Sequence, residues 1–234
     1  VSWLAGVDGC RRGWFRVARE SDSGELAFHL LETAAQLISA PPGPNVLALD
    51  IPIGLLAAGR RECDGLARRR LGVRGSSVFP APIRPALDAH DREEASRLTE
   101  LADGRRVSCQ AWNLVPKIRA VDALLREDVS ARRVIHEVHP ELSFWAWNGG
   151  RPMQAPKKSR EGRAERLRLA EAWLGDDLLA RARGAHLRRH LADDDILDAV
   201  AALWTAHRIA DGRAERLPAS PPRDEHRLAM QIVF

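Results

Sequence analysis

The stretch Leu4–Ala5–Gly6–Val7–Asp8–Gly9–Cys10–Arg11–Arg12–Gly13–Trp14 decides the reading of the fold: a short apolar run, one carboxylate between glycines, then a tight turn. The apolar residues predict a strand over Trp3–Val7. Glycine has no side chain to hinder a turn or a close backbone approach, so Gly6 and Gly9 leave Asp8 accessible where the strand is expected to stop. Two roles suit such an acid: contact with a ligand or metal, or capping of backbone N–H groups in a turn.

Working outward, Trp14–Glu20 alternates again, and an Asp22–Gly24 turn leads into Glu25–Leu31, which predicts a three-stranded antiparallel start. Glu32–Ala40 has helical composition and is ended by Pro41–Pro42–Gly43–Pro44. Asn45–Asp50 then repeats the first pattern, a buried-type strand closing on an acid, followed by Ile51–Pro52–Ile53–Gly54. Arg132–His139 is predicted as a third parallel-type strand, with Glu137 inside it and Glu141 just after Pro140. In an open sheet covered by helices, ligands bind beyond the carboxyl ends of parallel strands. Asp8, Asp50 and Glu137 are therefore expected to share one crevice. His136 and His139 have the chemistry of metal ligands, but strand alternation points His136 away from Glu137.

Between residues 60 and 130 the pattern becomes helical, at Glu62–Leu71, Asp91–Ala102 and Gln110–Glu127, which reads as an insertion beside the sheet. The connection Gly72–Arg84 is rich in Gly, Ser and Pro. Its Arg74, Ser76, Ser77 and Arg84 suit phosphate oxygens, or else an ordinary proline-ordered loop with solvated arginines. Lys117 lies off the apolar face of its helix, as a phosphate contact or a side chain snorkelling along the surface. Trp145 and Trp147 suit core packing, or else stacking on bases beside a basic surface. Pro156–Leu174 is an arginine-rich amphipathic helix that starts with Lys157 and Lys158, and Leu228–Phe234 is placed as an edge strand.

The last strong element, Asp193–Ala206, opens with acids that suit a helix N-terminus. Asp198 differs, because it lies one turn inside, at i,i+3 from Asp195, above a face of Ala201, Ala202 and Thr205. Small residues there let the helix approach the sheet closely. Its carboxylates would then meet Asp8, and such a cluster repels itself unless protonated or bridged by cations.

The 234 residues suit one domain, and 45% hydrophobic with 29% charged residues gives no uncharged apolar segment able to span a bilayer. The first residues, Val1–Ser2–Trp3–Leu4, show no export signal. Cys10, Cys63 and Cys109 form neither a disulfide framework nor a metal knuckle, so a reducing cytoplasm is expected. The net charge of +4 is carried almost wholly by arginine, the only lysines being Lys117, Lys157 and Lys158. Such a balance helps an anionic partner, and equally describes a solvated arginine face.

Together, Gly6–Val7–Asp8–Gly9–Cys10–Arg11, Asp50–Ile51–Pro52–Ile53–Gly54, Ser76–Ser77–Val78–Phe79–Pro80–Ala81–Pro82, Gln110–Ala111–Trp112, Pro116–Lys117–Ile118, Glu137–Val138–His139–Pro140–Glu141 and Asp194–Asp195–Ile196–Leu197–Asp198–Ala199 resemble the DUF429 family over nearly the whole chain. That family is described as a predicted nuclease with an RNase H-like fold. The resemblance implies an α/β chain: a RuvC-like mixed sheet flanked by helices in a single domain over residues 1–234, with the helical insertion at about 60–130. It implies Asp8, Glu137 and Asp198 as catalytic metal-binding acids, Asp195 as a further ligand, and Asp50 and Glu141 beside them. The segment Asp195–Ile196–Leu197–Asp198–Ala199 is also similar to the D-x-x-D-A helix of RuvC-type resolvases. The implied chemistry is hydrolysis of DNA or RNA phosphodiesters by two Mg²⁺ or Mn²⁺ ions, with Arg11, Ser76, Arg84 and Lys117 as substrate contacts.

Two other activities suit the same fold. Actin-like phosphotransferases also open with a strand, an aspartate and a glycine turn, but Asp8–Gly9–Cys10–Arg11 lacks the Gly and hydroxyl residue of their usual phosphate loop. A non-catalytic nucleic-acid-binding protein would use the arginines alone, yet free carboxylates beside phosphate weaken binding without a metal.

Overall fold

The computed structural model describes residues 2–184, 186 and 188–234; Val1, part of the N-terminal reading above, lies outside them. Strands β1 (Trp3–Cys10), β2 (Gly13–Glu20) and β3 (Leu26–Leu31) form the expected antiparallel meander. The short helix α1 (Gln36–Ser39) leads to β4 (Val46–Leu49), which lies parallel to β1. Helices α2 (Glu62–Leu71), α3 (Arg92–Asp103), α4 (Cys109–Glu127) and the single turn α5 (Ala131–Val134) intervene before β5 (Ile135–Glu137), parallel to β4. Then come α6 (Pro140–Trp147), α7 (Arg160–Leu174), α8 (Leu178–Arg183) and α9 (Asp193–Ala210), and last the paired strands β6 (Arg216–Leu217) and β7 (Ile232–Val233).

The main sheet has the order β3-β2-β1-β4-β5, with β1 at its centre. Its two faces carry separate cores. Leu4, Phe15, Val17, Ala48 and Val138 pack toward α9, whereas Ala5, Val7, Leu49 and Ile135 pack toward α4. This alternation follows the period of two along a strand.

Several sequence expectations change in extent. The first strand runs on through Asp8 to Cys10, because Asp8 still pairs with Phe15 of β2, so the tight turn falls at Arg11 and Arg12 rather than beside the acid. The helix expected over Glu32–Ala40 shrinks to α1. The strand expected over Arg132–His139 keeps only Ile135–Glu137, its first residues being taken by α5. The edge strand at the C-terminus reduces to β7, which pairs with β6 and meets Val138 through an isolated bridge. No helix among the described residues is long and apolar enough to cross a membrane.

Candidate active site

A cleft of about 800 Å³ opens at the carboxyl ends of β1, β4 and β5, lined by Asp8, Asp50, Glu137, His139, Asp195 and Asp198 together with Lys157, Lys158, Ser76 and Phe79. Its deepest acids come together by simple geometry. Gly6 stands against α9 so closely that an added Cβ would lie 2.0 Å from Leu203 N and 2.1 Å from Ala199 O. Two residues further along the same face of β1, about 7 Å on, comes Asp8. Four residues back along α9 from Ala199, about 6 Å, comes Asp195, with Asp198 beside Ala199. The equal steps in opposite directions place strand acid and helix acids together.

Asp50 joins from the parallel neighbour. Val7 pairs with Leu49, so the next residues, Asp8 and Asp50, lie side by side, and Asp50 N donates to Val7 O at 3.1 Å. Glu137 comes one residue early. It pairs with Leu49 and lies on the opposite pleat, while Val138 takes the place level with Asp50. There the Arg61 guanidinium holds Glu137 in a two-pronged contact, at 2.8 Å to Oε2 and 2.7 Å to Oε1, and Ile53 N donates to it at 2.6 Å. Arg61 also binds Asp64 at 2.6 Å. Burial raises the Glu137 carboxyl to about 7 against the pull of Arg61.

The aspartates feel one another. Burial first, and Asp50, Asp198 and Asp195 after it, raise Asp8 well above the usual carboxylate range. Burial and then Asp198 raise Asp50 to about 8, and burial raises Asp195 to about 6 although its carboxylate accepts from Ala192 N at 2.9 Å. The ammonium of Lys157 stands among these acids, donating to Asp198 Oδ2 at 2.9 Å, and Asp198 above all pushes its pKa up. Burial lowers the His139 pKa; its Nε2 lies 3.4 Å from Ser77 O, and its buried Nδ1 has no partner among the described residues.

The remaining expected residues divide. Ser76 lines the cleft, and so does Glu141, although Arg166 grips the latter at 2.7 and 2.8 Å. Arg84 is buried elsewhere, between Asp122 and Asp224. Lys117 donates to Gly13 O at 2.8 Å, lies over the Trp14 ring, and runs its stem beneath Gly9. Arg11 is exposed on the turn after β1. The structure thus brings Asp8, Asp50, Asp195 and Asp198 together, keeps Glu137 in the same cleft but in the grip of Arg61, and leaves Arg84, Lys117 and Arg11 outside the cleft lining. Lys157 and Arg61 were missing from the expected set; the rarity of lysine was the only signal for the first, and nothing local signalled the second.

A family model described as a protein of unknown function, DUF429, matches residues 6–223. The chain belongs to the DUF429 family. The match takes in all four clustered aspartates and Lys157. No curated protein and no solved structure matches the chain.

Proposed function

We propose that this DUF429 member is a divalent-metal-dependent nuclease on an RNase H-like sheet, hydrolysing phosphodiester bonds of DNA or RNA. The observation that carries this reading is the convergence of Asp8, Asp50 and Asp198 from three different elements into one lysine-rimmed cleft. The sheet order, with an antiparallel meander leading into parallel β4 and β5, is what such a fold calls for.

The donor set fits Mg²⁺ or Mn²⁺, since it consists of carboxylate oxygens, the ligands these hard cations prefer. Burial, and after it repulsion between the acids, raises Asp8 and Asp50, and a divalent cation would relieve the repulsion. Among the described residues no three His, Cys, Asp or Glu side chains already stand at metal-binding spacing. Loading therefore requires side-chain movement among the acids, of which Asp198 is now held by Lys157. Asp8, Asp50 and Asp198 would hold the metal, with Asp195 fixing the first turn of α9 beside them. When bound, the metal supplies an activated water and neutralises phosphate charge. The protein's own part is to keep the acids buried and close, and to offer Lys157, Lys158 and Ser76 to the substrate backbone.

A panel of single-stranded, duplex and branched DNA and RNA, assayed with Mg²⁺ and Mn²⁺, tests this. Asp8→Asn and Asp198→Asn are expected to reduce cleavage to background while circular dichroism stays native. The absence of cleavage on every substrate, with no metal binding by calorimetry, would refute the reading. Metal-dependent ATP turnover in place of cleavage would transfer the site to phosphotransfer.

A further inference from the structure

Lys157 is built in a way that its ion pair with Asp198 does not require. The backbone before it is fastened to α7: Glu165 accepts from Gln154 N at 2.9 Å and from Ala155 N at 3.2 Å, and Arg166 donates to Ala155 O at 3.3 Å. Gly162 packs so tightly there that a Cβ would lie 2.0 Å from Pro156 O. The Arg74 side chain ties the same segment to the far wall of the cleft, donating to Met153 O at 2.9 Å. The Cα of Lys157 is therefore fixed, and its four-carbon stem is the part free to move. That side chain is 43% exposed while its Asp198 partner is 7% exposed. The ammonium can leave into the cleft, and its departure would uncover the buried acid.

We propose that Lys157 holds the cation position of the acid cluster in the metal-free protein, yields Asp198 to the incoming divalent ion, and then binds the substrate phosphate. This rests on the metal-dependent reading above. The exchange makes the acids' surroundings one charge more positive, since an ammonium departs as a divalent ion enters, and the displaced ammonium stays in the cleft beside Lys158. A phosphate thus meets two lysines only once metal is present. The order of events makes metal and substrate binding cooperative, because the metal frees the group that the phosphate needs.

The test uses the full chain and calorimetry with Mn²⁺ alone, then with thymidine monophosphate at saturating Mg²⁺. Lys157→Met should bind Mn²⁺ about tenfold more tightly, having lost its competitor, and thymidine monophosphate about tenfold more weakly. Lys157→Arg should keep the Mn²⁺ affinity low. Thermal melting in EDTA confirms that each variant is folded. An Mn²⁺ affinity unchanged or weakened in Lys157→Met would overturn the exchange while wild-type binding still upheld the metal site. Tighter Mn²⁺ with unchanged nucleotide affinity would also overturn it, reducing Lys157 to a counter-charge. If wild type and Lys157→Met both fail to bind Mn²⁺, the exchange and the nuclease reading fall together.

Discussion

Gly6→Ala should destabilise the protein far more than its one added carbon suggests. The new Cβ would meet Leu203 N at 2.0 Å, Ala199 O at 2.1 Å and Leu203 Cα at 2.6 Å, all backbone atoms of α9. An ordinary contact needs about 3.5 Å, so helix and strand must separate by more than about 1 Å across a core with no spare volume. Overpacking of this kind costs about 1–3 kcal/mol, and rigid atoms on the helix side place it near 3 kcal/mol. For a chain of this length that lowers the melting temperature by about 6–12 °C. Gly9→Ala is the internal comparison. Its Cβ would lie 2.8 Å from Cδ and 2.9 Å from Cε of Lys117, a flexible stem that can swing aside. Its cost should stay below about 1.5 kcal/mol. Urea denaturation followed by tryptophan fluorescence measures both, with the midpoint shifting at constant slope. Equal losses at the two positions, or a Gly6→Ala loss under about 0.5 kcal/mol, would refute the β1–α9 approach on which the site depends.

The raised acids set a pH dependence for the metal-free protein. The folded form keeps protons on Asp50 up to about 8 and on Asp195 up to about 6, whereas the unfolded chain releases them near the ordinary carboxylate value of 3.8. Folded protein binds more protons in that window, so stability in EDTA falls as pH rises from about 4 to about 8 and levels off above. Asp50→Asn should flatten the curve in chemical denaturation at stepped pH, and an unchanged slope would contradict the buried cluster. Arg61→Met leaves Glu137 and Asp64 buried without their cation and should cost about 3–5 kcal/mol. Arg61→Lys should recover little of that in the same unfolding assay, because a point charge cannot repeat the two-pronged contacts with both acids.

The sequence was most legible where structure is local. The meander Trp3–Leu31 and the helices α2, α3, α4 and α9 follow from alternation and periodicity, and the structure adds the caps Ser108, accepting from Ala111 N at 3.1 Å, and Asp91, accepting from Glu94 N at 2.8 Å. Asp8 and Asp50 were legible because each follows a short apolar run, and Asp198 because it lies one turn inside its helix above a face of small residues. Glu137 was not, since its side depends on register against β4, and a one-residue offset sends a side chain to the other face. Its partner Arg61 lies 76 residues earlier, across the helical insertion, beyond the reach of any local pattern.

The opening stretch carries two requirements that prove to be one. A glycine at position 6 is a poor strand residue by propensity, and alanines beneath α9 give little apolar area for the length of helix they occupy. Both become intelligible at the contact, where Gly6 meets Ala199 and Leu203 without a side chain between them. That contact sets how far apart the acids stand, because Asp8 is two residues from Gly6 on the same face and Asp198 adjoins Ala199. A wider spacing would let water in and relax both the burial and the repulsion that raise Asp8 and Asp50. The close approach thus makes an acid cluster that is costly without a cation, and the fixed backbone at Pro156 delivers Lys157 to that cluster.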